Sequence, residues 1–216
     1  MSAAIPQQVT AASQTLPGAS TRSGSAVKVR SGADAASRSG IWVAIFTITM
    51  TFAAFTSALF VRQGSGADWV HFALPSVLYA NTLVLLVSSA TLEMARRTVA
   101  AKSVIQSESV SEITLWLFAT LLLGLVFLLG QYEAWCQLAS QGLYLATNPN
   151  SSFFYVLTAM HGLHVIGGIA ALVFVMGRLT GTHAAFRRST FESTAIYWHF
   201  MGVLWLYVLL ILRTRL

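Results

Sequence analysis

Five apolar stretches bounded by charges punctuate this chain, at 41–61, 72–92, 113–132, 153–177 and 194–212. None of them contains Asp, Glu, Lys or Arg. About 20 apolar residues in a helix cross roughly 30 Å of hydrocarbon at 1.5 Å per residue, so each stretch is long enough to span a bilayer. Lipid offers the backbone no hydrogen-bond partner, which leaves helices for continuous apolar runs and barrels for alternating ones. The pattern therefore predicts an all-α integral membrane bundle of five transmembrane helices over residues 40–216. Residues 1–39 are a different material, rich in Ser, Ala, Gly and Thr, with Arg22, Lys28, Arg30 and Arg38 against the single acid Asp34. No apolar run closely follows these charges, so the segment does not read as a secretory signal peptide. Its Ser- and Arg-rich, acid-poor composition also fits a transit peptide. The simpler expectation is a polar cytoplasmic tail with too little apolar surface to fold alone.

Composition then removes alternatives. Of the 216 residues, 56% are hydrophobic and 9% charged, against roughly 25% charged in soluble domains, and the mean hydropathy of +0.68 agrees. The net charge of +6 does not point to nucleic acid, because the positives sit at the ends of apolar stretches and form no dense stripe. That is the distribution of topology signals and of contacts with anionic lipid. The tail, the loop near 93–112 and the loop near 178–189 carry four, three and three Lys/Arg, and the alternate segments one, none and two. By the positive-inside rule the N-terminus lies in and the C-terminus out. Trp42, Trp69, Trp116, Trp135 and Trp198 lie near stretch ends and are expected in an interfacial aromatic belt. Cys136 is the lone cysteine; it can form no internal disulfide or cysteine-pair metal site and is expected to be a free, buried thiol.

Inside a bilayer the polar residues carry the information, since each must be satisfied or face a partner. Asn81, Ser88, Thr91 and Ala95 share one face of the second helix. That face suits hydrogen bonding across a packed interface, with a lining for water or protons as the alternative. Glu93, Arg96 and Arg97 stand at i, i+3 and i+4 where this helix ends. There they can pair with one another, and the arginines can hold a lipid phosphate; Arg188 and Glu192 read similarly. His161 and His164, in the run HGLH, are followed by Gly167 and Gly168. No carboxylate accompanies them, so interior histidines beside close-packing glycines are the better reading. A bis-histidine haem would need His199 from the fifth helix with His161 or His164. His71 and His183 fall in loops and suggest nothing. No nucleophile–base arrangement appears, and an odd number of spans with few prolines does not suggest a transporter built from two halves. No catalytic, cofactor-binding or metal-ligating residue is expected in this chain.

The same polar runs carry a family resemblance. FFYVLTAMHGLHVIGG (153–168) resembles the most recognisable run of subunit III of cytochrome c oxidases. NTLVLLVSSATLEMARR (81–97), GLVFLLGQYEAW (124–135) and FESTAIYWHFMGVLWLYVLL (191–210) resemble that family in the same order and spacing, and 40–64 is a looser match. The resemblance implies the five-helix form of a subunit whose larger form has seven, the first two set apart across a lipid-filled cleft. It implies a non-catalytic subunit of a haem-copper terminal oxidase that packs on subunit I beside subunit II, supports proton uptake and holds structural phospholipid. Haem and copper would belong to those partner subunits, none to this chain. Asn81, Glu93, Arg96, Arg97, His161, His164, Gly168, Trp198 and His199 are then candidate lipid or subunit contacts. A respiratory supercomplex is a further candidate partner. A bacterial inner membrane is the expected location, ahead of the mitochondrial one. Many relatives have a buried glutamate near the position of Ile48 and an aspartate near that of Gly202, so roles attached to those acids do not transfer. The equivalent subunit of a quinol oxidase, the accessory subunit of a nitric oxide reductase and, from another class, a bis-histidine membrane cytochrome are the rival readings.

Overall fold

Backbone groups with no water to bond must bond one another, and among the described residues they do so mainly in five helices, with a few turn bonds such as Leu143 N to Leu138 O between the third and the fourth. The structure is a computed structural model that describes residues 20–65, 74–101, 107–181 and 188–215, with side chains from 39 in the first stretch and from 110 in the third. The helices are α1 (Ser20–Ser65), α2 (Val77–Ala101), α3 (Ser107–Ser140), α4 (Pro149–Thr180) and α5 (Arg188–Arg215). All five contain a segment long and apolar enough to cross a membrane: Ser39–Ser65, Val77–Ala101, Val110–Ser140, Pro149–Thr180 and Arg188–Arg215. The chain is thus an all-α, multi-pass membrane protein. Two compact units make it up, Met1–Ala36 and Ser37–Leu216. Trp69, His71 and His183, and the side chains of Arg22, Lys28, Arg30, Asp34 and Arg38, lie outside the described residues.

The helices outrun the apolar stretches that predict them. α1 starts at Ser20, inside the polar segment read as a tail with too little apolar surface to fold alone. Adding residues to an existing helix costs far less than nucleating one, and the Ala, Lys and Arg of this segment are good helix formers. α3 runs on to Ser140 through its polar end, where Gln137 Nε2 donates to Glu133 Oε1 at 3.1 Å. α2 starts at Val77, not at 72. Pro75 disfavours helical backbone at Leu74, and residues 72 and 73 lie outside the described residues. α4 begins with a full cap. The Asn148 side chain accepts from the Ser151 amide, Ser151 bonds back to the Asn148 amide, and Pro149 opens the first turn, which satisfies donors that helix geometry leaves free.

Packing closes α2, α3, α4 and α5 into a ring, the backbone of each running close to two others: α2 on α3, α3 on α4, α4 on α5 and α5 on α2. The membrane-length part of α1 joins through one face, Ile48, Phe52, Thr56 and Leu59, all buried. Phe52 meets the His164 ring at 6.0 Å, Tyr207 Oη shares a hydrogen bond with Thr56 Oγ1 at 2.9 Å, and the Arg215 guanidinium lies 4.4 Å over the Phe60 ring. Long side chains, not close backbones, make this joint.

Within the ring the approach is much closer. Gly130 on α3 faces Asn81 on α2, and a Cβ there would collide with Asn81 Oδ1. This glycine is required by space alone, since among the described residues the one positive φ belongs to Gly142 in the α3–α4 turn. Overpacking of this kind costs about 1–3 kcal/mol. The variant Gly130→Ala should therefore melt several degrees below the wild-type protein in the purified membrane complex. An unchanged melting temperature would show that α2 and α3 do not come this close.

Candidate functional site

The positions singled out from the sequence fall into two groups, one in the bundle interior and one at the end of α2. Interior packing centres on Trp198 of α5, which is 1% exposed. Its indole lies against two glycines. A Cβ on Gly124 of α3 would come within 2.8 Å of the ring, and one on Gly168 of α4 within 3.0 Å. The indole Nε1 donates to Ser88 Oγ of α2 at 3.2 Å. One side chain thereby touches all three other helices of the ring. Trp198 is therefore not part of an interfacial belt. Because α5 begins at Arg188, this residue sits about 15 Å along the helix at 1.5 Å per residue, well inside the bundle. Trp42, by contrast, is 62% exposed.

The polar face of α2 points into the ring, and its groups bond α3 and α5. Ser88 Oγ donates to Thr120 O at 3.2 Å, and the Thr91 and Thr120 hydroxyls lie 2.9 Å apart. Asn81 Nδ2 donates to Phe127 O at 3.0 Å and to Gln131 Oε1 at 3.4 Å. Two further tryptophans pair with hydroxyls: Trp205 Nε1 with Thr82 Oγ1 at 3.0 Å, and Trp135 Nε1 with Thr158 Oγ1, also at 3.0 Å. Gln131, Thr120, Gly124 and Gly130 are partners that the sequence reading missed. A signal existed, because a glycine in a leucine-rich helix costs about 1 kcal/mol relative to alanine and needs a packing reason.

The three intramembrane histidines occupy separate settings. His161 is fully buried, its ring 5.1 Å from that of Trp205 and 5.7 Å from that of Phe127. His164 turns to α1; its Nδ1 lies 2.6 Å from Met160 O, and its own carbonyl accepts from Tyr197 Oη at 2.9 Å. His199 Nε2 is 3.8 Å from Glu93 Oε2, roughly 9 Å further back along α5 than Trp205 by helical rise. A bis-histidine haem needs two imidazoles turned to one gap, and these neighbours do not provide it. Among the described residues no three His, Cys, Asp or Glu side chains gather as a metal site would require. Cys136 is free and exposed, not buried as expected: the inward face of α3 is set by Phe127, Ala134 and Leu138, and position 136 falls off it.

At the end of α2 the charges neutralise one another. Arg96 Nε donates to Glu93 Oε2 at 2.7 Å and Arg97 Nε to Glu93 Oε1 at 3.0 Å. Arg96 also reaches Glu192 of α5 at 3.6 Å. Glu192 thus links α5 to α2, beyond the local pair suggested for it with Arg188. Two carboxylates face two guanidiniums, and of the two Arg97, with its side chain 71% exposed against 42% for Arg96, is the more open to its surroundings. Gly202, where relatives are expected to carry an acid, is a contact point: a Cβ there would lie 3.3 Å from Ser89 Oγ of α2.

These features define a class, a helical membrane protein most of whose interior polar groups bond neighbouring helices. The particular family follows from comparison with known proteins. The sequence pattern of the family described as cytochrome c oxidase subunit III matches residues 32–214, and the chain belongs to that family. It is similar to a cytochrome c oxidase subunit 3 from Thermostichus vulcanus, 30% identical over 82% of this chain and 87% of that protein. It is also similar to probable cytochrome c oxidase subunits 3 from Mycobacterium leprae, 34% identical over 58% of this chain and 59% of the relative, and from Mycobacterium bovis, 32% identical over 67% and 70%.

The two groups should respond differently to substitution. Gly168→Leu puts a branched side chain where Trp198 sits and should cost at least about 1–3 kcal/mol of stability, seen as a lower yield of assembled complex. Glu93→Gln breaks a partly exposed ion cluster and should change stability by less than about 1 kcal/mol. Thermal melting of the two purified complexes checks the order; a larger loss for E93Q would reverse the assignment.

Proposed function

We propose that this chain is the non-catalytic subunit III of a haem-copper terminal oxidase that passes electrons from cytochrome c to oxygen and translocates protons. Its work is to pack on subunit I, sustain proton uptake and hold structural phospholipid. The observation that carries the reading is the family match over 32–214 in a bundle whose interior polar side chains bond helix to helix. The haem and copper then belong to partner subunits I and II. The exposed Arg97 and the apolar outer faces of the helices are the surfaces offered to lipid and to those partners.

The charge distribution supports an N-terminus in the cytoplasm and a C-terminus outside, in the plasma membrane of a bacterium. On this topology the α3–α4 turn is external. With Cys136 replaced by Ser, a cysteine introduced by Thr147→Cys should react with a membrane-impermeant thiol reagent in intact cells. One introduced by Ser13→Cys should react only after lysis. The opposite pattern would invert the topology.

Purification through this chain in mild detergent should bring down haem-bearing partners, with no haem absorbance in the chain once separated from them. A stable, isolated chain with no partners, or one carrying its own haem, would end this proposal.

A further inference from the structure

His161 is the most deeply buried ionisable group among the described residues, and neither of its ring nitrogens has a hydrogen-bond partner in the protein. An unsatisfied polar group at membrane depth is expensive, and buried polar groups are as a rule bonded, to protein or to ordered water. A second orphan lies close by in the fold. Gln131 is 3% exposed, and its Nε2 also lacks a protein partner. Its Oε1 accepts from Asn81, so the amide presents its donor end away from α2.

Register brings the two orphans together. α3 and α4 pair where Trp135 Nε1 donates to Thr158 Oγ1. One helical turn back along α3 is Gln131, and about one turn forward along α4 is His161, so the two occupy the same layer. Phe127, one turn beyond Gln131, touches the His161 ring with its edge, which confirms that both helices turn these residues inward. The chemistry is complementary. Gln131 has two amide hydrogens to donate, and a neutral imidazole has one nitrogen that accepts and one that donates. The two groups are not bonded to each other, and a small species that both accepts and donates would satisfy both.

We propose that this layer is an internal water site, in which at least one ordered water accepts from Gln131 Nε2 and bonds a ring nitrogen of His161. It extends the Phe127–Asn81–Gln131 bonds into a polar layer from α2 through α3 to α4. Buried waters typically make about three hydrogen bonds to otherwise unsatisfied polar groups, and ordering one costs less than leaving two buried polar groups bare. The inference depends on the packing of this chain and not on the identity of its partners.

The test is a density map at about 2 Å of the membrane complex purified through this chain. The expected result is a peak within hydrogen-bond distance of both His161 and Gln131. Dry van der Waals contact of these side chains with their neighbours and no peak would overturn the proposal. The second readout is the melting temperature of His161→Phe, Gln131→Leu and the double variant. A water bridge predicts a fall of about 2–4 °C for each single variant and a double variant no worse than the poorer single, because each change removes the same bridge. A dry aromatic cage predicts that H161F melts at or above the wild type, since an apolar ring of similar shape removes two unsatisfied ring nitrogens. That outcome would also overturn the water site. If a variant does not assemble, the wild-type map decides.

Discussion

The Trp198 indole holds this fold at the point where four helices meet. Helices in lipid gain little by hiding apolar surface, because the tails around them are equally apolar, so association depends on close fit and on interhelical hydrogen bonds. Trp198 supplies both. Its ring fills the space left by Gly124 and Gly168, and its N–H finds Ser88. The two glycines give up helix propensity, and the close contact they allow offsets that loss. Every other joint of the ring repeats part of this scheme: Gly130 against Asn81, Gly202 near Ser89, and indole or hydroxyl groups bridging helix pairs.

The same arrangement bears on function. The interior polar atoms of α2 are bonded to backbone carbonyls and side chains of α3 and α5, and its terminal charges are neutralised between α2 and α5. What remains open is the outside of the bundle, where bulky side chains such as Leu115, Leu122 and Leu129 of α3 are more than half exposed. A protein with this distribution offers surfaces and rigidity. Membership of the cytochrome c oxidase subunit III family fits such a supporting part, with the redox chemistry proposed for its partners.

Much of the fold was legible because the bilayer imposes a coarse rule: a run of about twenty uncharged apolar residues must be helical. Helix ends were less legible. Polar residues continue α1 and α3 beyond the hydrocarbon-length runs, and Pro75 delays α2, effects that depend on nucleation and local sterics more than on hydropathy. The polar face of α2 was readable from the spacing of Asn81, Ser88 and Ala95. Its partners were not, since Thr120, Phe127 and Gln131 are fixed only when α3 packs at a particular rotation. Trp198 shows the limit most clearly. A tryptophan near the start of an apolar stretch looks interfacial, and only the longer α5 and the two facing glycines make it a core residue. Cys136 went the other way, since its exposure follows from the rotation of α3 and cannot be read from residue type.

The most direct test of this account is a double-mutant cycle between Ser88→Ala and Trp198→Phe, followed by thermal melting of the assembled membrane complex. If the indole and the hydroxyl hold α5 to α2 as described, the two losses overlap, with a coupling of at least about 0.5 kcal/mol. Losses that add to within about 0.3 kcal/mol would contradict it, and would mean that the bundle is held together elsewhere.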